Sequence, residues 1–175
     1  SGHSAETGGS ITIIRRGATP SVAGPAGQYT GMVFLDQSFA ARNPARAAGV
    51  RITFTPGSRS AWHTNPHGEV VLVTSGKLVA QEENGPIEIA LPGDVVYFPA
   101  GIKHWYGAAA DSGAAALALA EMKDGRSADW LDAVTESQYA GTNVSEAQSR
   151  HITISRVGSQ ATVRANPDYF TGPAH

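Results

Sequence analysis

Two histidines, a carboxylate and an amide stand at intervals that could hold a divalent metal ion. His63, Asn65 and Glu69 lie between Gly57 and Gly76, and Gly93, Pro99, Gly101 and His104 follow in a second stretch. His63, Glu69 and His104 offer two imidazole nitrogens and a carboxylate, enough to cap one face of a metal and leave the opposite positions to a substrate. Asn65 is a weaker donor that could bind the ion loosely, hold a water on it, or do neither. One divalent cation is expected, drawn from Mn, Fe, Ni and Zn.

Strands must position these groups. Alternate residues of a strand share a face, so His63 and Asn65 point the same way. Glu69 rejoins them after the Pro66-His67-Gly68 turn, because Val70 to Val73 reads as a buried strand. His104 follows the turn Pro99-Ala100-Gly101, which closes the β-prone run Asp94 to Phe98. Tyr106 shares the face of His104 and could donate a proton or orient a substrate oxygen. His67, in the turn, is the second candidate for acid–base work, against the plainer reading of a solvated loop histidine. Val50, Ile52 and Phe54 alternate along a strand leading to the first stretch, with Ala120 expected to face them. Together with Asn65 they are the expected wall of a substrate pocket. Trp62 and Trp105 should face away from the metal, and Arg51, Arg59 and Lys103 read as solvated surface.

The rest of the chain reads as short β-rich runs punctuated by Gly and Pro from Gly17 to Gly107, the pattern of a compact antiparallel barrel or sandwich. Ser127 is the expected N-cap of a short helix over 129–134, with Gly141 as its stop. With 175 residues, one buried core is the default. A net charge of −2 with scattered basic residues gives no footprint for nucleic acid or an anionic membrane. The absence of cysteine excludes disulfides, thiolate ligands and a Cys nucleophile, and leaves a soluble protein of either cytoplasm or periplasm.

The two stretches, with Ala61-Trp62-His63-Thr64-Asn65-Pro66, Pro92-Gly93-Asp94-Val95-Val96 and Lys103-His104-Trp105-Tyr106-Gly107-Ala108, resemble the cupin superfamily. The similarity is closest to its small bacterial single-domain members, including the manganese-dependent hydroxynitrile lyases. It implies an all-β jelly-roll barrel, or double-stranded β-helix, over residues 11–141 with a short C-terminal helix. It also implies a metal site at His63, Glu69 and His104, a small-molecule substrate and a homodimer. Asn65 departs from the family's second motif histidine, Glu69 from the Gln usual in the lyase-like members, and Tyr106 from their pocket histidine. Lyase chemistry, with the metal as Lewis acid and Tyr106, His67 or metal-bound hydroxide as base, is the leading expectation. An iron(II) oxygenase and a non-catalytic or degenerate ligand-binding cupin are the alternatives.

Residues 1–10 are small and polar, read as disordered or a tag remnant. Ile11-Thr12-Ile13, Arg15 and Gly17 recur as Ile152-Thr153-Ile154, Arg156 and Gly158 at one constant offset. The extension 142–175 therefore repeats the opening strand, resembling the start of a second cupin unit. The repeated strand should be ordered against a sheet edge, because an isolated strand leaves its backbone groups unpaired.

Overall fold

A computed structural model describes residues 10–141 and 151–160. The expected disordered start falls outside the described residues except for Ser10, as does most of the extension 142–175.

The strands run in chain order as β1 (Val22–Ala23), β2 (Tyr29–Thr30), β3 (Val33–Phe39), β4 (Ala47–Phe54), β5 (Arg59–Ser60), β6 (His63–Thr64) and β7 (Glu69–Gly76). They continue as β8 (Leu78–Glu82), β9 (Glu88–Ala90), β10 (Val95–Phe98), β11 (His104–Ala108), β12 (Ala114–Glu121) and β13 (Asp129–Trp130). Helix α1 (Glu136–Tyr139) and strand β14 (Thr153–Ser155) follow. One antiparallel sheet has the order β1-β3-β4-β12-β7-β10-β14, and the other runs β13-β6-β11-β5-β2, with β8 and β9 continuing from β11. This is the jelly-roll barrel that the cupin resemblance implies, and it agrees with the barrel or sandwich read from the Gly and Pro punctuation.

Burial follows the pleat. On β7, Glu69, Val71 and Val73 are buried while Val70 and Leu72 are half-exposed. The inward set packs with Ile52, Phe54, Leu78, Val96 and Phe98 into the main core, each large side chain contributing roughly 1.5–3 kcal/mol on burial. The inward positions of β12 are Ala116, Ala118 and Ala120, paired with Ile52, Val50 and Ala48 of β4. Methyl groups cannot fill the space there, so a cavity remains at that end of the barrel.

β11 is buried on both faces. His104, Tyr106 and Ala108 turn inward, while Trp105 packs outside with Trp62, Val79 and Val134 in a second cluster. The two tryptophans are thus wall residues, their indole N–H groups donating to Gln138 and Gln81.

The C-terminal segment departs from the sequence reading in two ways. No helix forms over 129–134: Asp129–Trp130 is a strand paired to β6, because Trp130 is drawn into the barrel mouth against His63 and Tyr29. The short helix lies one element later, with Thr135 as N-cap and Gln138 completing a capping box. Second, Arg59 is buried, where solvated surface was expected. Its guanidinium donates to Val134 O at 2.8 Å and Glu136 Oε1 at 2.9 Å and lies over the Tyr139 ring. Gly107, opposite Arg59 on β11, accommodates that crossing: a Cβ there would sit 2.4 Å from Ser58 O.

The repeated strand finds an edge in its own barrel. β14 pairs with β10, Ile154 opposite Val96. Asp94 anchors it, accepting from Val157 N and Arg156 Nη1 at 2.9 Å each, and from Leu91 N at 2.8 Å. The buried Glu82 carboxylate accepts from His151. Among the described residues no helix is long and apolar enough to cross a membrane.

Removing residues 151–175 should lower the melting temperature, since it bares the β10 edge and strands Glu82 without its partner. Asp94→Ala should cost about 1–2 kcal/mol in denaturant unfolding. The Leu91 N–H holds the Asp94 carboxyl below the usual carboxylate range, helped by Val157 N–H and Arg156 against the opposing effect of burial. The anchor's contribution is therefore full above that range and lost as pH falls through the lowered value. Acid titration of stability should be shallower in Asp94→Asn than in the parent chain.

Candidate metal centre

His63 on β6 lies directly opposite His104 on β11, with ring centroids 4.3 Å apart. Glu69 opens β7 across from Phe98 and Ala120. The turn that returns the chain to Glu69 depends on Gly68, whose φ is +78° and whose position would place a Cβ 2.7 Å from Phe98 O. One carbonyl ties the two motif turns together, because Asn65 O accepts from both Gly68 N and Gly101 N, at 3.1 and 3.0 Å. Ligand-capable atoms of His63, Glu69 and His104 consequently lie within 4.8 Å of one another, all buried.

The hydrogen bonds fix which atoms face inward. His63 Nδ1 is 2.9 Å from Ala61 O and His104 Nδ1 is 2.7 Å from Ile102 O. A carbonyl only accepts, so each Nδ1 carries the proton and each Nε2 presents a lone pair. His63 Nε2, His104 Nε2, Glu69 Oε1 and Asn65 Oδ1 are buried without a hydrogen-bond partner. An orphaned buried acceptor costs roughly 1–3 kcal/mol, and four at one point fit a cation that is shared among them.

Charge agrees. Burial raises the Glu69 carboxyl, but the nearby His63, His104 and Tyr106 together outweigh it, so the net direction is down. Burial, then the charge of His63, pushes His104 down to about 3, although Glu69 and the Ile102 carbonyl oppose the shift. The centre thus pairs a carboxylate with a neutral imidazole at His104, the states in which these groups bind metals. Both rings are backed by aromatics: Phe98 stacks on His104 at 3.9 Å and 12°, and Trp130 lies 4.7 Å from His63.

A cavity of about 190 Å³ opens beside the cluster, lined by Val50, Ile52, Glu69, Tyr106, Ala120 and Trp130 among others. Tyr29 also lines it, and burial followed by the charge of Glu69 raises its phenol. Phe54 is not on the cavity surface. It is fully buried behind it, edge-on to Tyr106 at 5.9 Å. The Tyr106 phenol is raised by burial first and then by the charge of Glu69, so it stays protonated. His67 is exposed in its turn and lines a separate groove on the outer face with Tyr97 and His151. Trp130 and Tyr29 escaped the sequence reading, the first because it was assigned to a helix and the second because it lies outside both metal-motif stretches.

The cupin domain family matches residues 50–120. The chain is 47% identical over 129 residues to an (R)-mandelonitrile lyase of Granulicella tundricola, an alignment spanning 74% of this chain and 98% of that protein. Among solved structures, a cupin-like protein from Thermotoga maritima superposes with a TM-score of 0.65 at 31% identity, covering 75% of this chain and 96% of that one. A cupin-2 domain from Rhodospirillum rubrum matches with a TM-score of 0.55 at 18% identity, covering 74% and 84%.

Elemental analysis of the purified chain should find a stoichiometric divalent ion. His104→Ala should lose it, while His67→Ala should retain it.

Proposed function

The chain belongs to the cupin family, and from that membership we propose that it is a metal-dependent lyase cleaving a small aromatic cyanohydrin to an aldehyde and hydrogen cyanide. The observation that carries the reading is the buried cluster of His63, Glu69 and His104 beside a cavity lined by Glu69, Tyr106, Tyr29, Trp130, Val50 and Ile52. At about 190 Å³ the cavity is somewhat larger than the roughly 150 Å³ that takes a benzene ring. Identity to a named (R)-mandelonitrile lyase supports the same substrate class.

A divalent ion held by His63, Glu69 and His104 would supply Lewis acidity to the substrate oxygen and stabilise its negative charge. The chain's own groups move the proton. Tyr106, kept neutral by burial, takes the hydroxyl proton of the substrate on its oxygen as its own proton passes to the departing cyanide. The carbonyl forms, the bond to the nitrile carbon breaks, and that electron pair leaves with cyanide. Tyr106 ends with one proton, as it began, so the net products are aldehyde and HCN. Trp130 and Tyr29 hold the aryl group, and the alanines of β12 leave room for it.

The two-histidine, one-carboxylate set also favours a second reading, an iron(II) oxygenase. A homodimer fits either reading: Ile11 and Ile13 are exposed although they repeat Ile152 and Ile154 of the β14 segment.

Racemic mandelonitrile should yield benzaldehyde and cyanide, with the R enantiomer consumed faster and activity abolished by chelator. Tyr106→Phe should lower turnover by about 10²–10⁴-fold while leaving metal content unchanged. Oxygen uptake by the iron-loaded chain, without cyanide release, would instead establish the oxygenase.

A further inference from the structure

Asn65 is fully buried, and its amide orientation is determined by its neighbours. Nδ2 donates to Ser127 O at 2.9 Å and to Glu69 Oε2 at 3.0 Å, which uses both of its hydrogens. Neither partner has a hydrogen to give when Glu69 is ionised, so a flipped amide would set oxygen against oxygen twice. The amide carbonyl therefore keeps its place beside the cluster, and Oδ1 is one of the four buried atoms without a partner. The other three belong to His63, Glu69 and His104.

Resting on the metal-site reading above, we infer that Asn65 is a fourth donor through Oδ1 and also braces Glu69. Its amide occupies Oε2, which leaves Oε1 to the ion. The centre then offers two imidazole nitrogens and two oxygens with one negative charge. Such a set narrows the ordinary preference of nitrogen-rich sites for zinc over manganese, because oxygen donors suit Mn(II) and imidazole suits Zn(II). Ser127 is thereby a positioning residue through its carbonyl: the segment that carries it also delivers Trp130 to the cavity, coupling donor geometry to the mouth of the barrel.

The test is a pair of competition titrations, MnCl2 and ZnCl2, on the chelator-stripped chain and on Asn65→His and Asn65→Leu, with a melting curve for each variant to establish folding. Asn65→His adds a nitrogen donor and should raise the zinc-to-manganese affinity ratio at least about tenfold. Asn65→Leu removes donor and brace and should weaken Mn(II) by about 10–100-fold, with altered Mn(II) hyperfine lines in electron paramagnetic resonance. If both folded variants lose affinity for the two ions equally, with the ratio unchanged, Asn65 is a brace alone and the donor assignment is wrong. If the parent chain binds neither ion, the metal-site reading itself fails and this inference with it.

Discussion

The barrel is organised around lone pairs kept away from water. Two imidazole nitrogens, a carboxylate oxygen and an amide oxygen are buried with no hydrogen bond to satisfy them, and every other feature of the site follows from holding them there. The Ala61 and Ile102 carbonyls take the outer protons of the two rings, so the inner nitrogens have nothing to donate. His63 Nε2 and Glu69 Oε2 stand 3.8 Å apart, two electron-rich atoms whose proximity is unfavourable until a positive charge lies among them. Dry walls strengthen that demand, since the interaction of a charge with its neighbours grows as the local dielectric falls.

Much of this was legible in the sequence because strands report their faces. The alternation of Glu69, Val71 and Val73, and of His104 and Tyr106, places the chemistry on the inner surface without reference to the remainder of the chain. What was not legible depends on contacts made far along the sequence. Arg59 reads as surface from its neighbours, yet the Val134 carbonyl and the Tyr139 ring turn it into a buried clamp. Trp130 matches a helical period with Val134, yet the open mouth beside His63 offers its indole a better environment than a helix face would. Local patterns carry no sign of either partner, so tertiary burial overrides them.

The repeated segment shows how one sequence motif meets two environments. Ile152-Thr153-Ile154 lies on the β10 edge, clamped by Asp94 and Glu82, whereas Ile11 and Ile13 are exposed and outside any described strand. The difference is one of partners: β10 presents an unsatisfied edge to the later copy, and the buried carboxylates of Glu82 at the end of β8 and Asp94 just before β10 flank it. β10 also carries Phe98, the ring stacked on His104, so the strand that receives the tail is the one that backs an imidazole of the buried cluster.

The alanines of β12 separate two things that active sites often combine. Ala118 and Ala120 line the cavity and contribute volume by their smallness, while the groups that would hold an ion sit on β6, β7 and β11. The size of the chamber is consequently written on a strand distinct from those that would hold the ion. A lineage could exchange methyl for isopropyl or hydroxymethyl along that strand and explore new acceptors while its chemistry stayed intact, a modularity that lets one barrel diversify by resizing its chamber.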